Sequence, residues 1–261
     1  MLRQTIVLRQ HQNLIEFISR KSMKSQLETF NLRRFDFCDF GCSNGSSIRF
    51  GMNVLKGRHG FGVDIDAKKV KATQSKGYEA IQSNFCNLSL PDKCVKFTIL
   101  SHVLEHLPTL DKAEKAIQNA VRISQDFVFI RGPYFDADDY LKSLGLKFYW
   151  SDWSGHPLHF SIEHMLQCLE FLKIENYEIY GRNLVENSNH TVIHPISSLK
   201  NQHHWNSEQH DRKQFLKFNR SIYQEFFCVI WLSDRAKVDY ARSLSNKFLI
   251  CKKGFLFPIL I

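Results

Sequence analysis

The side chains of this 261-residue chain best placed to do chemistry fall in four short stretches. The first is Phe37-Cys-Asp39-Phe-Gly41-Cys42-Ser-Asn-Gly45-Ser-Ser47, an apolar run that breaks on glycines and small polar residues. A strand entering a helix through such a turn lets a ligand approach bare backbone N–H groups, because glycine has no Cβ and tolerates left-handed backbone. A plain strand-to-helix connection uses the same residues, so this stretch alone defines no ligand. The second is Gly60-Phe-Gly62-Val-Asp64-Ile65-Asp66, which ends a candidate second strand on carboxylates. An acidic side chain there accepts hydrogen bonds from both hydroxyls of a ribose. Asp66 directly precedes the helical Ala67-Lys-Lys-Val-Lys-Ala72 and is expected to cap it, which leaves Asp64 as the ribose ligand. The third stretch is Leu100-Ser101-His102-Val-Leu-Glu105-His106-Leu107, and the fourth is Trp153-Ser-Gly-His156-Pro-Leu-His159-Phe. Imidazoles remove protons near neutral pH, and His156 and His159 are the candidate catalytic bases.

The elements that must carry these residues alternate between two periodicities. Short apolar runs at 35–40, 60–63, 78–81, 96–100 and 127–130 read as strands. Helical spacing follows the first, second and fourth of them. Asp111-Lys-Ala-Glu114 reads as a capping box, with Ala113, Ala116, Ile117, Ala120 and Val121 facing inward. Alternation of this kind means parallel pairing with right-handed crossovers. The expected fold is therefore α/β, a doubly wound sheet with helices on both faces and its ligand at the carboxyl ends of the strands. Ser161 is expected to cap a further helix, followed by a strand near 174–180. Residues 182–220 are polar and aperiodic and read as an insertion or lid. Residues 225–232 return to the sheet. The organisation expected is an N-terminal helical extension (1–33), a core (34–181), and a lid with closing strands (182–261).

Bulk properties exclude several classes. There is no apolar run long enough to span a bilayer, and the apolar stretch at the N-terminus is too short for a secretory signal, so none is expected. Seven scattered cysteines without a CxxC pair argue against a disulfide framework or a zinc ribbon. They suit a reducing compartment, so a cytoplasmic location is expected. The net charge of +9 is spread along the chain rather than blocked, and reads as a basic surface more than as a nucleic-acid footprint.

Taken together, the stretches resemble the class I S-adenosylmethionine-dependent methyltransferases. Asp39-Phe-Gly41-Cys-Ser-Asn-Gly45 is similar to their D-x-G-x-G-x-G motif, and Gly62-Val-Asp64 to their second motif. Ser83-Asn84-Phe85 sits where that family places an acidic or amide residue beside the adenine. Leu100 to Leu107 is similar to the V-L-E-H-L that often follows its fourth strand. The resemblance implies a Rossmann-like, mostly parallel seven-stranded sheet and S-adenosyl-L-methionine as cofactor. It implies cofactor contacts from Asp39, Gly41, Cys42, Gly45, Asp64, Ile65, Asn84, Phe85, Ser101 and His102. Asp39 would orient the cofactor's amino group, Gly41 and Gly45 would leave it room, and Ser101 or His102 would close the pocket. Two positions depart from the pattern. Ser43 stands for the middle glycine, which is accommodated if its backbone stays right-handed, and Asn84 stands for the commoner aspartate.

A dinucleotide-dependent dehydrogenase is disfavoured, because G-x-G-x-x-G needs glycines where Ser43 and Ser46 stand. The H-x-x-E-H spelling of His102 to His106 matches inverted zinc peptidases, but those need a helix that Pro108 would end at once. Glu105 and His106 also resemble ligands in the divalent-metal-dependent ubiquinone-pathway O-methyltransferases and small-RNA 2′-O-methyltransferases. On that alternative the metal set is Glu105, His106 and His159; otherwise no metal is expected. The expected function is O- or N-methylation of a small molecule or glycan. The glycan reading rests on a likeness of the C-terminal half, including Tyr223 to Ile230, to methyltransferases of bacterial surface-sugar pathways. The alternatives are an RNA methyltransferase, which no RNA-binding appendage favours, and a non-catalytic methyltransferase-like partner subunit.

Overall fold

The computed structural model describes residues 31–234, 247–252 and 255–256. The helix expected in the N-terminal extension, over residues 10–30, lies outside the described residues, as do residues 253–254 and 257–261 at the C-terminal end. The strands are β1 (Phe37–Phe40), β2 (Gly60–Asp64), β3 (Glu79–Gln82), β4 (Val95–Ser101), β5 (Ser124–Pro133), β6 (Leu146–Phe148), β7 (Tyr177–Leu184), β8 (Ile193–Pro195), β9 (Tyr223–Trp231), β10 (Lys247–Lys252) and β11 (Phe255–Leu256). The helices are α1 (Ser46–Asn53), α2 (Ala67–Gln74), α3 (Leu110–Ile123), α4 (Asp138–Ser143) and α5 (Ile162–Phe171).

Nine strands form one sheet in the order β11-β10-β7-β9-β5-β4-β1-β2-β3. Strands β1 to β5 pair in parallel, β9 runs against both β5 and β7, and β7 therefore runs with the parallel set. Seven strands thus form the expected doubly wound body, and β10 and β11 extend its edge beyond β7. All four residues of β1 are buried, because a central parallel strand is covered on both faces. Ile48 of α1 and Val70 of α2 pack with Phe37, Phe97 and Phe129 on one face. Ala116 and Ile117 of α3 and Met165 of α5 pack with Cys38, Leu100 and Ile130 on the other.

The strand order reverses between β1 and β4, and this switch point brings Asp39, Gly41, Ser101 and His102 together at one edge. Two local expectations are corrected. Thr109, not Asp111, is the N-cap of α3, and the helix begins at Leu110, whose side chain packs against the core. Ser161 does cap α5, but the reciprocal partner in its capping box is His164. Residues 182–220 also carry more order than their polarity suggests. Strand β8 pairs with β6 in a separate two-stranded sheet, and Tyr149 donates its N–H to the Val192 carbonyl at 3.1 Å. The segment is thereby fastened to the 146–160 loop that carries the candidate bases.

Candidate active site

The glycine turn after β1 is closed by its own hydrogen bonds. The Gly41 and Cys42 N–H groups both donate to the Val63 carbonyl, at 2.7 and 3.3 Å. Ser43 donates to the Asp64 carboxylate at 3.0 Å, Gly45 to the Cys42 carbonyl at 2.8 Å, and Ser46 to the Asn44 side chain at 3.2 Å. The turn therefore does not offer the run of bare N–H groups that the sequence suggests. A pyrophosphate needs such a cradle; a cofactor without phosphate does not. Gly41 and Gly45 have φ of +71° and +80°, and a Cβ on them would lie 2.5 Å from Val103 and 2.7 Å from Tyr78. Both positions thus require glycine on two grounds. Ser43 is also left-handed, with φ +49°, against the expected right-handed backbone.

Asp64 is nearly buried, and its second oxygen accepts the Asp66 N–H at 3.0 Å. Asp66 caps α2 through Lys68, as expected. Ile65 beside them is 65% exposed, an apolar side chain open beside the turn. Phe85 stacks on Phe40 at 5.3 Å, and Asn84 turns its side-chain oxygen onto the Cys86 N–H at 2.9 Å. Cys42 is buried against Gly62 and Thr73.

Asp39 is fully buried. One oxygen accepts the Ser47 hydroxyl at 2.5 Å, while the other, Oδ1, has no partner. Burial pushes its carboxyl up to about 7, opposed by the Ser47 hydrogen bond; the Asp64 charge adds to the rise and the Arg131 charge opposes it. An orphaned buried acceptor of this kind calls for a donor from outside the protein. The ammonium of S-adenosylmethionine meets that need. With Ile65 open, Asp64 at the end of β2 and a turn that offers no phosphate cradle, the residues present fit this cofactor.

Beyond the turn lies a pocket of about 360 Å³ lined by His102, Glu105, His106, Pro133, Tyr149, Trp150, Trp153, His156, His203, Gln224 and Glu225. His102, with φ +54°, follows β4 and sits between two carboxylates: Nδ1 is 3.5 Å from Glu105 and Nε2 is 3.1 Å from Glu225. Burial lowers its pKa, but the hydrogen bonds to the two carboxylates outweigh this and raise it to about 9. His102 is thus an imidazolium that neutralises the pocket floor. Glu225 is also paired with Arg182 at 3.5 Å, and His102, Arg131 and Arg182 hold its carboxyl below the usual range despite burial.

The histidines separate into two places. His156 Nδ1 lies 3.0 Å from the Trp150 carbonyl and His106 Nδ1 lies 2.6 Å from the Gly155 carbonyl. A carbonyl only accepts, so each Nδ1 carries a proton, and in the neutral ring Nε2 holds the lone pair. Burial holds the His156 pKa below 6.5, so that ring is neutral at physiological pH. One donor atom each from Glu105, His106 and His156 lies within 4.8 Å of the others. His159 stands elsewhere: it pairs with Asp138 at 3.1 Å, stacks on Phe135 and lines a second pocket with Lys142, Lys147 and Asp152. Residues 104–106 form one 3-10 turn rather than an α-helix, so no peptidase helix exists here. Of the lid histidines, His203 reaches the pocket, whereas His194 is buried, and its pKa falls to about 4 through that burial. Sequence reading missed Arg131 and Glu225. Each is a charge interrupting a buried apolar strand, at the edge where ligands bind, and that interruption was the available signal.

Residues 38–127 match the family model of a methyltransferase domain. No curated protein matches the chain. Among solved structures, the chain is similar to a SAM-dependent methyltransferase from Archaeoglobus fulgidus, at 17% identity and TM-score 0.53, covering 82% of this chain and 94% of that one. It is also similar to a SAM-dependent methyltransferase from Thermotoga maritima described as a possible histamine N-methyltransferase. That match has 12% identity and TM-score 0.50, covering 83% of this chain and 99% of that one. Those likenesses show a common fold. Residues 38–127 are a methyltransferase domain, the fold around them is that of S-adenosylmethionine-dependent methyltransferases, and S-adenosyl-L-methionine is the cofactor the site fits. Among the described residues no helix is long and apolar enough to cross a membrane.

Proposed function

We propose that this enzyme methylates a hydroxyl of a small molecule or glycan, bound in the pocket between His102 and the aromatic wall of Tyr149, Trp150 and Trp153. The observation that carries the reading is His156, a neutral imidazole whose Nε2 lone pair is free inside an aromatic-walled pocket at the cofactor edge of the sheet. Bound S-adenosylmethionine supplies an electrophilic methyl group on a sulfonium. The chain's own part is to orient the acceptor and take its proton. His156 Nε2 accepts the hydroxyl proton, and the nearby Glu105 carboxylate stabilises the imidazolium that results. The planar rings of phenols and the C–H faces of sugar rings suit the faces of Tyr149 and Trp153 that line the pocket. The test is methyl transfer from labelled S-adenosylmethionine to a panel of saccharides, phenols, amines and RNA oligonucleotides. Transfer to oxygen of a saccharide or phenol supports the reading; transfer to amines or RNA alone refutes it.

A second reading is favoured by the approach of the Glu105, His106 and His156 donors within 4.8 Å. Two imidazoles with free Nε2 atoms and one carboxylate suit zinc, manganese or iron better than magnesium. Their backbone-bonded Nδ1–H groups are the usual outer support of such ligands. On this reading the third ligand is His156, in place of His159. Calorimetric titration with Mn²⁺ and Zn²⁺ separates the two readings. Binding lost in His106→Ala, with turnover abolished by a chelator, favours the metal; turnover indifferent to chelation favours His156 as the base.

A further inference from the structure

The register of the sheet lays a row of charges along the α1 side of the ligand edge. Asp39 aligns with Ile99 and Ile99 with Phe129, so Ser101 and Arg131 stand one pleat beyond, on the same face. Phe227 aligns with Arg131 and Arg182 with Glu225, which continues the row across β9 and β7. Within it the charges are matched unevenly. Glu225 is paired with His102 and Arg182, and His102 also with Glu105. Arg131 forms no ion pair among the described residues. Its Nε and Nη2 both donate to the Ser101 hydroxyl, at 3.2 and 2.9 Å, and its guanidinium lies 5.1 Å above the Phe50 ring.

Those contacts turn the guanidinium toward Asp39. Strands β5 and β1 are two apart, about 10 Å across the sheet, and Arg131 leans over the intervening β4 onto Ser101. Phe50 stands one turn beyond Ser47 on α1, and Ser47 donates to Asp39. Arg131 and Asp39 therefore face the same short stretch of α1. Arg131 has no carboxylate at ion-pair distance among the described residues, although the charges of Asp39 and Glu225 reach it; Asp39 is a buried carboxyl with an unpartnered oxygen. The methionyl end of the cofactor carries an ammonium and a carboxylate on one carbon. A carboxylate brought beside buried Asp39 needs a cation of its own.

We infer that Arg131 receives the carboxylate of the cofactor's methionyl end, while Asp39 Oδ1 faces its ammonium. A planar guanidinium held by Ser101 and stacked on Phe50 is preorganised for two parallel hydrogen bonds to that group. Arg131 is then the residue that distinguishes the intact amino-acid end from derivatives lacking it.

Calorimetry with S-adenosylhomocysteine and 5′-methylthioadenosine, which lacks the amino-acid end, tests this without reference to turnover. Arg131→Met is expected to weaken S-adenosylhomocysteine binding about tenfold or more, the loss of a charge-assisted pair, and to leave 5′-methylthioadenosine within about twofold. Equal losses for both ligands, or no loss for either, overturn the inference. A second measurement needs no variant: the unmodified protein is expected to bind S-adenosylmethionine at least about tenfold tighter than its decarboxylated form. Equal affinities overturn the carboxylate contact while leaving the cofactor intact. Failure of the unmodified protein to bind either sulfonium is a different result, and it overturns the cofactor itself together with the inference.

Discussion

The Ser43 N–H points at a carboxylate oxygen of Asp64, 3.0 Å away, and so ties the glycine turn after β1 to the end of β2. The other carboxylate oxygen holds the Asp66 N–H, which starts α2. One acidic side chain therefore shapes both walls where an adenosine would lie. A carboxylate offers about four lone-pair sites, so two backbone bonds leave room for ribose hydroxyls. The turn is preformed before any ligand arrives, and little ordering entropy remains to oppose binding.

Asp64 should accordingly matter twice. Asp64→Ala leaves two amides without their charged acceptor, each bond contributing about 1.5–3 kcal/mol, and a lower unfolding temperature is expected together with at least about tenfold weaker cofactor binding. Thermal unfolding and calorimetry read the two effects separately. A lower unfolding temperature with unchanged affinity would show that Asp64 builds the turn and touches no ribose.

Ser43 is expected to be a site of stored strain. Its side chain is exposed and makes no hydrogen bond among the described residues, while its φ of +49° costs a non-glycine residue about 1–2 kcal/mol. Ser43→Gly removes the clash and keeps the N–H on Asp64. The unfolding temperature should rise by a few degrees, about 2–4 °C per kcal/mol at this chain length. A fall on differential scanning calorimetry contradicts the assignment.

How much of this was legible in the sequence follows from the range of each interaction. Strand β1, the glycine turn, Asp66 as the cap of α2 and the alternation of strands with helices are written in short-range pattern. The closure of the turn was not, since it depends on Val63 and Asp64 of another strand. The division between His156 and His159 was equally hidden. They are three residues apart in a loop, and Trp150 takes one while Asp138 takes the other. The lid's polar residues concealed β8, whose partner β6 lies far back in the chain. Arg131 and Glu225 gain meaning only through register, which composition does not report.

His156 sets an expected pH profile. Burial keeps its pKa below 6.5, and the neutral ring is the base, so turnover should be level at neutral pH and above and fall only at a pH below 6.5. His156→Ala should lower kcat by about 10²–10⁴-fold with cofactor affinity retained. His159→Ala, which removes a ring bonded to Asp138 outside this pocket, should leave kcat nearly unchanged. A collapse of kcat in the second variant and not the first would reverse the two roles.

Asp39 makes cofactor binding a proton-releasing event. In the free protein burial raises its carboxyl to about 7. The sign follows from linkage: a folded-state pKa above the unfolded value means the folded protein holds the proton longer. Stability of the free protein is therefore lost as pH rises from about 4 to about 7 and is level beyond. An ammonium beside Oδ1 favours the carboxylate and pulls that pKa back down. Binding of S-adenosylhomocysteine at about pH 6, roughly one unit below the free value, should release close to one proton, and affinity should weaken by up to about tenfold per unit as pH falls further. Calorimetry in two buffers of unlike ionisation enthalpy reads the release directly, and Asp39→Asn should abolish it. Identical heats in both buffers would mean that Asp39 keeps its protonation state on binding, and that the cofactor's ammonium is held by some other acceptor.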